Sequence, residues 1–456
     1  MKKETVTTNQ ITEGVIWKQL LLFFFPIVLG TFFQQLYNTA DTIVVGRFVS
    51  KEALAAVGGS AAQIVGLIVG FFVGLASGAS VIISQFYGAK NRVQLNRALH
   101  TAYAFSIIGS IFITALGILI APWLLELMHT PQETMADALL YLRIYFAGII
   151  FVFIYNVGSS ILRAMGDSRR PLYYLIVCCI LNIVLDIVLV IVFHMGVAGV
   201  SIATIFSQGV SAVLITRALM HSDDLYQLEF RKIRFHKSAL ISLIWVGCPT
   251  GIQSVLYSVT NMLIQTFLNN LGTDTVAAWS AFGKIDSLYW MVNNAFGIAV
   301  TTFVGQNFGA GKYDRMKKSV RIGLCMGLCT ALTLTLIFYS FGTPLFRLFT
   351  SDENVVSIGM QMLHHVAPAY CLFVFIELLS GALRGTGDVV IPMLITCFGV
   401  CLLRIAWLFF IVPLSPDLNT IVLSYPVTWA ITAVMFIVYY CYQAKKWPKS
   451  SAKKTA

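Results

Sequence analysis

The chain has 456 residues, 58% of them hydrophobic and 11% charged, with a mean hydropathy of +0.81. That much apolar surface exceeds what a soluble core of this length buries, so an ordinary globular protein is excluded and a polytopic membrane protein remains. The formal net charge of +11 does not point to nucleic acid, because the basic residues sit in short loops between apolar runs rather than along one face.

Successive apolar runs of about 20 residues or more predict twelve membrane helices. They lie near 19–46, 54–86, 98–120, 134–160, 171–193, 196–219, 240–268, 276–306, 319–342, 355–383, 391–412 and 421–443. No signal peptide is expected, since the first apolar run starts late and lacks a small-residue cleavage site. Most of the 31 Lys and Arg fall on one side when both termini and alternate loops share it. The positive-inside rule then puts both termini in the cytoplasm of a cell-membrane protein. The nine Cys lie almost entirely in apolar runs without metal-ligand spacing and read as small core residues.

The first helix carries an unusual polar set. Gln34, Asn38 and Asp41 stand at i, i+4 and i+7, and Tyr37 lies four residues before Asp41, which predicts one polar face. A bare carboxylate at the bilayer centre costs roughly 2.5–3.5 kcal/mol, so such a residue is expected to face a polar interior and to have a role. Pro26 removes a backbone hydrogen bond about four turns earlier and allows a kink there. In the fourth helix Asn156, Ser159, Ser160 and Arg163 form a polar stripe; in the fifth, Asn182 and Asp186 are four apart; in the sixth, Ser201, Thr204 and Gln208 share a face. If these helices converge on Asp41 they form an oxygen-rich cluster suited to a hard monovalent cation or a proton.

The chain repeats itself once. SQFYGAKNR from Ser84 matches GQNFGAGKY from Gly305, and ILRAMGDSRRP from Ile161 matches ALRGTGDVVIP from Ala382. Both pairs are offset by about 221 residues, which predicts two parallel six-helix lobes with a path between them. The expected divisions are an amino-terminal lobe over 1–219, a basic cytoplasmic linker over 220–238, read as a short amphipathic helix on the cytoplasmic surface, and a carboxy-terminal lobe over 239–456 with a basic tail. In the R-x-x-G-D-x-x-x-P turns, Pro opens the next helix, Gly allows the reversal, and Arg and Asp are expected to pair. At the same offset Asp41 falls on Asn261, Asn182 on Leu403 and Asp186 on Trp407. Scaffold residues should recur in both copies; these occur in one, which argues for function. In the second half, Lys284 is expected to reach Asp286 or Glu377, or to snorkel. Gln34 and Asn38, with Tyr257, Trp290, Met291, Asn294 and Glu377, are candidates to line a cavity for flat, amphipathic, often cationic molecules.

These residues carry a family resemblance. The two six-helix repeats, the paired QFYGA and QNFGA turns and the LRAMGD/LRGTGD pair resemble the MATE family, multidrug and toxic compound extrusion, within the bacterial branch that includes DinF-type members. The resemblance implies an all-α, V-shaped antiporter exporting drugs against an inward H⁺ or Na⁺ gradient, a monomer in the lipid bilayer with no other cofactor. It also implies a first-lobe cation site that matches Asp41, Asn182 and Asp186, accompanied by Tyr37, Asn156 and Thr204, with Pro26 as the kinking proline. Another branch has a helix-seven Glu and a helix-ten Asp; here Tyr257 holds the first position and Glu377 lies near the second, so no second-lobe Na⁺ site is expected. One competing reading is a flippase of lipid-linked precursors, which would want a more cationic cavity than Lys284, Arg404 and Arg143 supply. A membrane enzyme is the other, and no HExxH, GxSxG or DDxxD motif or phosphate-cradling loop supports it.

Overall fold

The computed structural model describes residues 11–222 and 226–448, and among them there are helices but no strands. Twelve long elements follow one another. They are α1 (Ile16–Phe48), α2 (Lys51–Gly88), α3 (Arg92–Leu127), α4 (Gln132–Ala147 with Ile149–Ala164), α5 (Arg169–Val192) and α6 (Gly196–Met220). After the connecting stretch come α7 (Lys237–Asn269), α8 (Thr273–Gly309), α9 (Tyr313–Arg347), α10 (Glu353–Gly385), α11 (Val390–Leu414) and α12 (Leu418–Lys446). Ten of these are long and apolar enough to cross a membrane, and the bent pair of α4 makes an eleventh. The remaining one, α8, is 37 residues long but carries Lys284, Asp286, Asn293 and Asn294.

The repeat is written into the turns. Lys90 and Gly311, equivalent positions, both take positive φ (54° and 68°), as do Gly166 and Gly387 (95° and 91°). Halfway along, α4 bends by 51° at Gly148. Its counterpart α10 is interrupted at the same repeat position by a 3₁₀ turn over Ala367–Ala369. The R-x-x-G-D turns differ in their bonding. Asp167 pairs with Arg170, not Arg163, and its Oδ1 accepts from the Arg169 and Arg170 amides. Asp388 instead accepts from the Tyr439 hydroxyl at 2.6 Å.

The chain forms two compact units, one of Phe25–Gly251 and the other from Ile252 onward together with the segment ending at Phe24. These divisions cut across the 1–219, 220–238 and 239–456 boundaries drawn from the repeat. The reason lies in α1 and α7, whose amino-terminal parts, up to Phe24 and up to Gly251, each pack in the opposite unit. In the second unit Phe24 stacks on Phe296 with centroids 4.1 Å apart. The Arg315 guanidinium there donates to the carbonyls of Ile11, Glu13 and Gly14 at 2.8–3.1 Å, fixing the approach to α1. In the first unit the α7 backbone runs against α2 so closely that a Cβ on Gly74 would stand 2.5 Å from Gly251, and one on Gly78 2.5 Å from Gly247. Small residues four apart on both helices are what permits that approach. Each crossing lies within two residues of a proline, Pro26 in α1 and Pro249 in α7.

The connecting stretch holds one helical turn among its described residues, Phe230–Lys232. An amphipathic helix does not form because the stretch spends its amides elsewhere: Leu228 N–H donates to Leu219 O, Glu229 N–H to His100 and His236 N–H to Thr101.

Candidate functional site

In the first unit α1, α5 and α6 meet along a ladder with a period of one helical turn. Asp41, Asp186 and Thr204 are followed one turn on by Val45, Val190 and Val200, which belong to a buried apolar cluster with Val44 and Val197. One turn the other way stand Tyr37, Asn182 and Gln208. The polar groups are thus sealed by valines on one side.

Within this ladder Asp41 is 7% exposed, and Asn182 and Asp186 are fully buried. Thr204 Oγ1 donates to Asp41 Oδ2 at 3.2 Å, and Asn182 Nδ2 donates to Thr204 Oγ1 at 3.4 Å. Gln208 Nε2 donates to the Tyr37 hydroxyl at 3.3 Å. The Asp41 and Asp186 carboxyls lie against each other. Asp41 Oδ1, Asn182 Oδ1 and both Asp186 oxygens are buried with no hydrogen-bond donor among the described residues. Buried acceptors without donors are costly, and two carboxylates cannot satisfy one another without a proton or a cation between them. The donor set, carboxylate with amide and hydroxyl oxygens, suits a hard monovalent cation or a proton. Among the described residues no group of three or more His, Cys, Asp or Glu is placed to hold a metal ion.

Other sequence-chosen residues sit elsewhere. Gln34 and Asn38 are exposed whereas Tyr37 and Asp41 are buried: Asn38 is turned by about 100° from Tyr37, and Gln34 stands on the Asp41 face but about two turns earlier in α1. Asn156 donates its amide to Val152 O at 2.8 Å and lines an apolar hollow with Phe72 and Phe153. The bend at Gly148 explains this: α4 turns its first half, not its second, toward the carboxylates, and Tyr145 interacts with Asp41 and Tyr141 with both. Sequence reasoning missed these two tyrosines; their i, i+4 spacing was the available signal. In α5 the last six residues, Ile187–Val192, wind as a π-helix directly after Asp186. The π segment of α11, Cys397–Leu402, lies elsewhere in the repeat.

In the second unit Asp286 and Glu377 both have hydrogen-bond donors. Asp286 accepts from Trp290 Nε1 at 2.6 Å and the Tyr370 hydroxyl at 2.5 Å. Glu377 pairs with Arg384 at 3.1 Å. Lys284 is exposed and forms no ion pair with either, so of the two alternatives the contact with Asp286 or Glu377 is not formed: both acids already have donors. Trp290 packs edge-on against Phe373 and Trp429, Tyr257 and Met291 are half-buried, and Asn294 is exposed. Arg404, 2% exposed, lies 3.9 Å over the Tyr425 ring and donates to Thr428. The second unit thus buries a cation on α11 where the first buries Asn182 and Asp186 on α5.

The MatE family profile matches residues 26–188 and 249–410, once in each half. The chain belongs to the MatE family. It is therefore a multi-pass membrane transporter and not an enzyme. The matched spans include Asp41, Asn182 and Asp186, whereas Thr204 and Gln208 lie between them. The chain is 27% identical over 454 residues to "Probable multidrug resistance protein YoeA" of Bacillus subtilis, covering 97% of each. It is 31% identical over 395 residues to "Probable multidrug resistance protein YpnP" of the same organism, covering 86% of this chain and 88% of that one. A solved MOP superfamily transporter from Pyrococcus furiosus shares the fold, with a TM-score of 0.91 at 22% identity over 98% of this chain and all of the other.

Proposed function

We propose that this MatE-family transporter is a secondary antiporter exporting amphipathic, often cationic compounds in exchange for H⁺ or Na⁺ taken up at Asp41 and Asp186. Asn182 and Thr204 supply further oxygens, Tyr37 orients Gln208 beside them, and Asn156 lies on the adjoining helix. The observation that carries this reading is the contrast between the carboxylates of the two units: Asp41 and Asp186 keep buried oxygens without donors, whereas Asp286 and Glu377 are hydrogen-bonded to Trp290, Tyr370 and Arg384. Cation and drug favour opposite states of the transporter, because exchange requires differential binding. The available driving forces, about 2.3 kcal/mol per charge for each 100 mV and about 1.4 kcal/mol per pH unit, suffice for such a shift. The names of the Bacillus subtilis relatives support a drug-like substrate. The distribution of Lys and Arg supports cytoplasmic termini. The protein works as a monomer in this reading, and the exposed Gln34, Asn38 and Asn294 are available to meet substrate.

The test is ethidium efflux from proteoliposomes under imposed pH and Na⁺ gradients. Asp41→Asn and Asp186→Asn are each expected to lower gradient-driven efflux about tenfold or more while reconstituting normally. Normal efflux in both would refute the coupling site.

A further inference from the structure

The stretch joining α6 to α7 lies outside the membrane-crossing helices, and transport gives it no role. Its described part is strapped across the start of α3. Glu229 N–H donates to His100 Nε2 at 3.1 Å and His236 N–H to Thr101 Oγ1 at 3.1 Å. His100 is buried, and its Nδ1 lies 2.7 Å from Asn96 O on the same helix, so one ring nitrogen fixes the imidazole while the other accepts from the strap. Between strap and helix an open cavity of about 310 Å³ remains, walled by Arg92, Arg97, Lys232, Arg234, His236 and Glu229. Glu229, the one carboxylate in that wall, already accepts from Lys232 Nζ at 2.5 Å. Arg92, Arg97 and Arg234 form no ion pair among the described residues. The amino-terminal end of α3, capped by Asn91, adds its positive dipole to the same space. Burial, followed by the charges of Arg234 and Arg97, holds the His236 imidazole below its ordinary range, as a cavity of positive potential should.

A second feature accompanies the charge. Phe230 and Phe235 on the strap and Val93 on the first turn of α3 are 58%, 41% and 61% exposed. Basic groups beside exposed aromatic and aliphatic side chains suit the boundary between headgroups and acyl chains.

We propose that this cavity binds the phosphate-bearing headgroup of an anionic membrane lipid, with Arg97 and Arg234 on the phosphate and Phe230 and Phe235 against the acyl chains. A soluble phosphate has the same anionic chemistry, but it leaves the aromatic side chains without a partner. Binding here would tie the strap to the membrane surface independently of the coupling cation.

Delipidated protein is titrated with phosphatidylglycerol or phosphatidylcholine and bound lipid is counted by native mass spectrometry, with inorganic phosphate as competitor. Wild type and the charge-preserving Arg97→Lys/Arg234→Lys variant are expected to retain phosphatidylglycerol. The Arg97→Gln/Arg234→Gln variant should bind it about tenfold more weakly or worse, with phosphatidylcholine unchanged. Equal phosphatidylglycerol binding by wild type and the Gln variant would overturn the site. Displacement of the lipid by millimolar phosphate would make it a soluble-anion site and overturn the lipid assignment.

Discussion

Thr204 Oγ1 stands 3.2 Å from Asp41 Oδ2 and 3.0 Å from Val200 O, so its single hydrogen serves one of them at a time. When a cation or proton neutralises the carboxylate pair, that hydroxyl is free to turn back to its own helix. In the proposed mechanism Thr204 would thereby link the charge state of α1 to the local bonding of α6. A hydrogen bond to a charged group contributes about 1.5–3 kcal/mol. Thr204→Val, which keeps the shape and loses the hydroxyl, should lower gradient-driven efflux about tenfold at normal expression, and Thr204→Ser should restore most of it. Equal rates in all three proteins would leave the hydroxyl without a role.

The contact between α2 and α7 makes a prediction about stability. A Cβ on Gly78 would stand 2.5 Å from the Gly247 amide nitrogen, with backbone on the other side that cannot swing away. Gly78→Val should destabilise the protein by about 1–3 kcal/mol or prevent its folding. Gly58 meets nothing within 4 Å, so Gly58→Ala is the control and should melt like wild type. Fluorescence-detected melting of both variants reads the difference.

Pro249 marks the place where α7 passes from one unit to the other, as Pro26 does in α1. A proline leaves one turn of the helix without its hydrogen bond, and that turn bends more easily than its neighbours. Pro249→Ala should slow turnover about threefold or more while leaving drug binding and expression unchanged, because hinge changes act on conversion rather than on contacts. Turnover rates and equilibrium drug binding, measured on one preparation, separate the two.

Much of this was legible in the residue order. The helix ranges follow from the length of apolar runs, the repeat from matched segments about 221 residues apart, and the Asn182–Asp186 pair from spacing within one helix, all of which the residue order contains. Gln34 and Asn38 share the polar stripe by spacing yet stay exposed, because burial is decided by packing against α5 and α6, which covers Tyr37 and Asp41. The bend that swaps Asn156 for Tyr141 and Tyr145 depends on Gly148, where a Cβ would stand 2.1 Å from Ile205, a contact between helices that no single-helix pattern contains. The exchange of the amino-terminal parts of α1 and α7 is hidden for the same reason. Lys284 was expected to reach Asp286 or Glu377, or to snorkel; it is exposed, and the donors to the two acids are Trp290, Tyr370 and Arg384.

Cation uptake by the purified transporter tests the central claim most directly. Proton uptake is read with a pH-indicator dye and Na⁺ uptake with a radioactive tracer, in wild type and in the Asp41→Asn/Asp186→Asn double variant. Wild type should take up H⁺ or Na⁺ that the double variant, with matched folding, does not. Identical uptake by both proteins would contradict the assignment of the coupling cation to these two carboxylates.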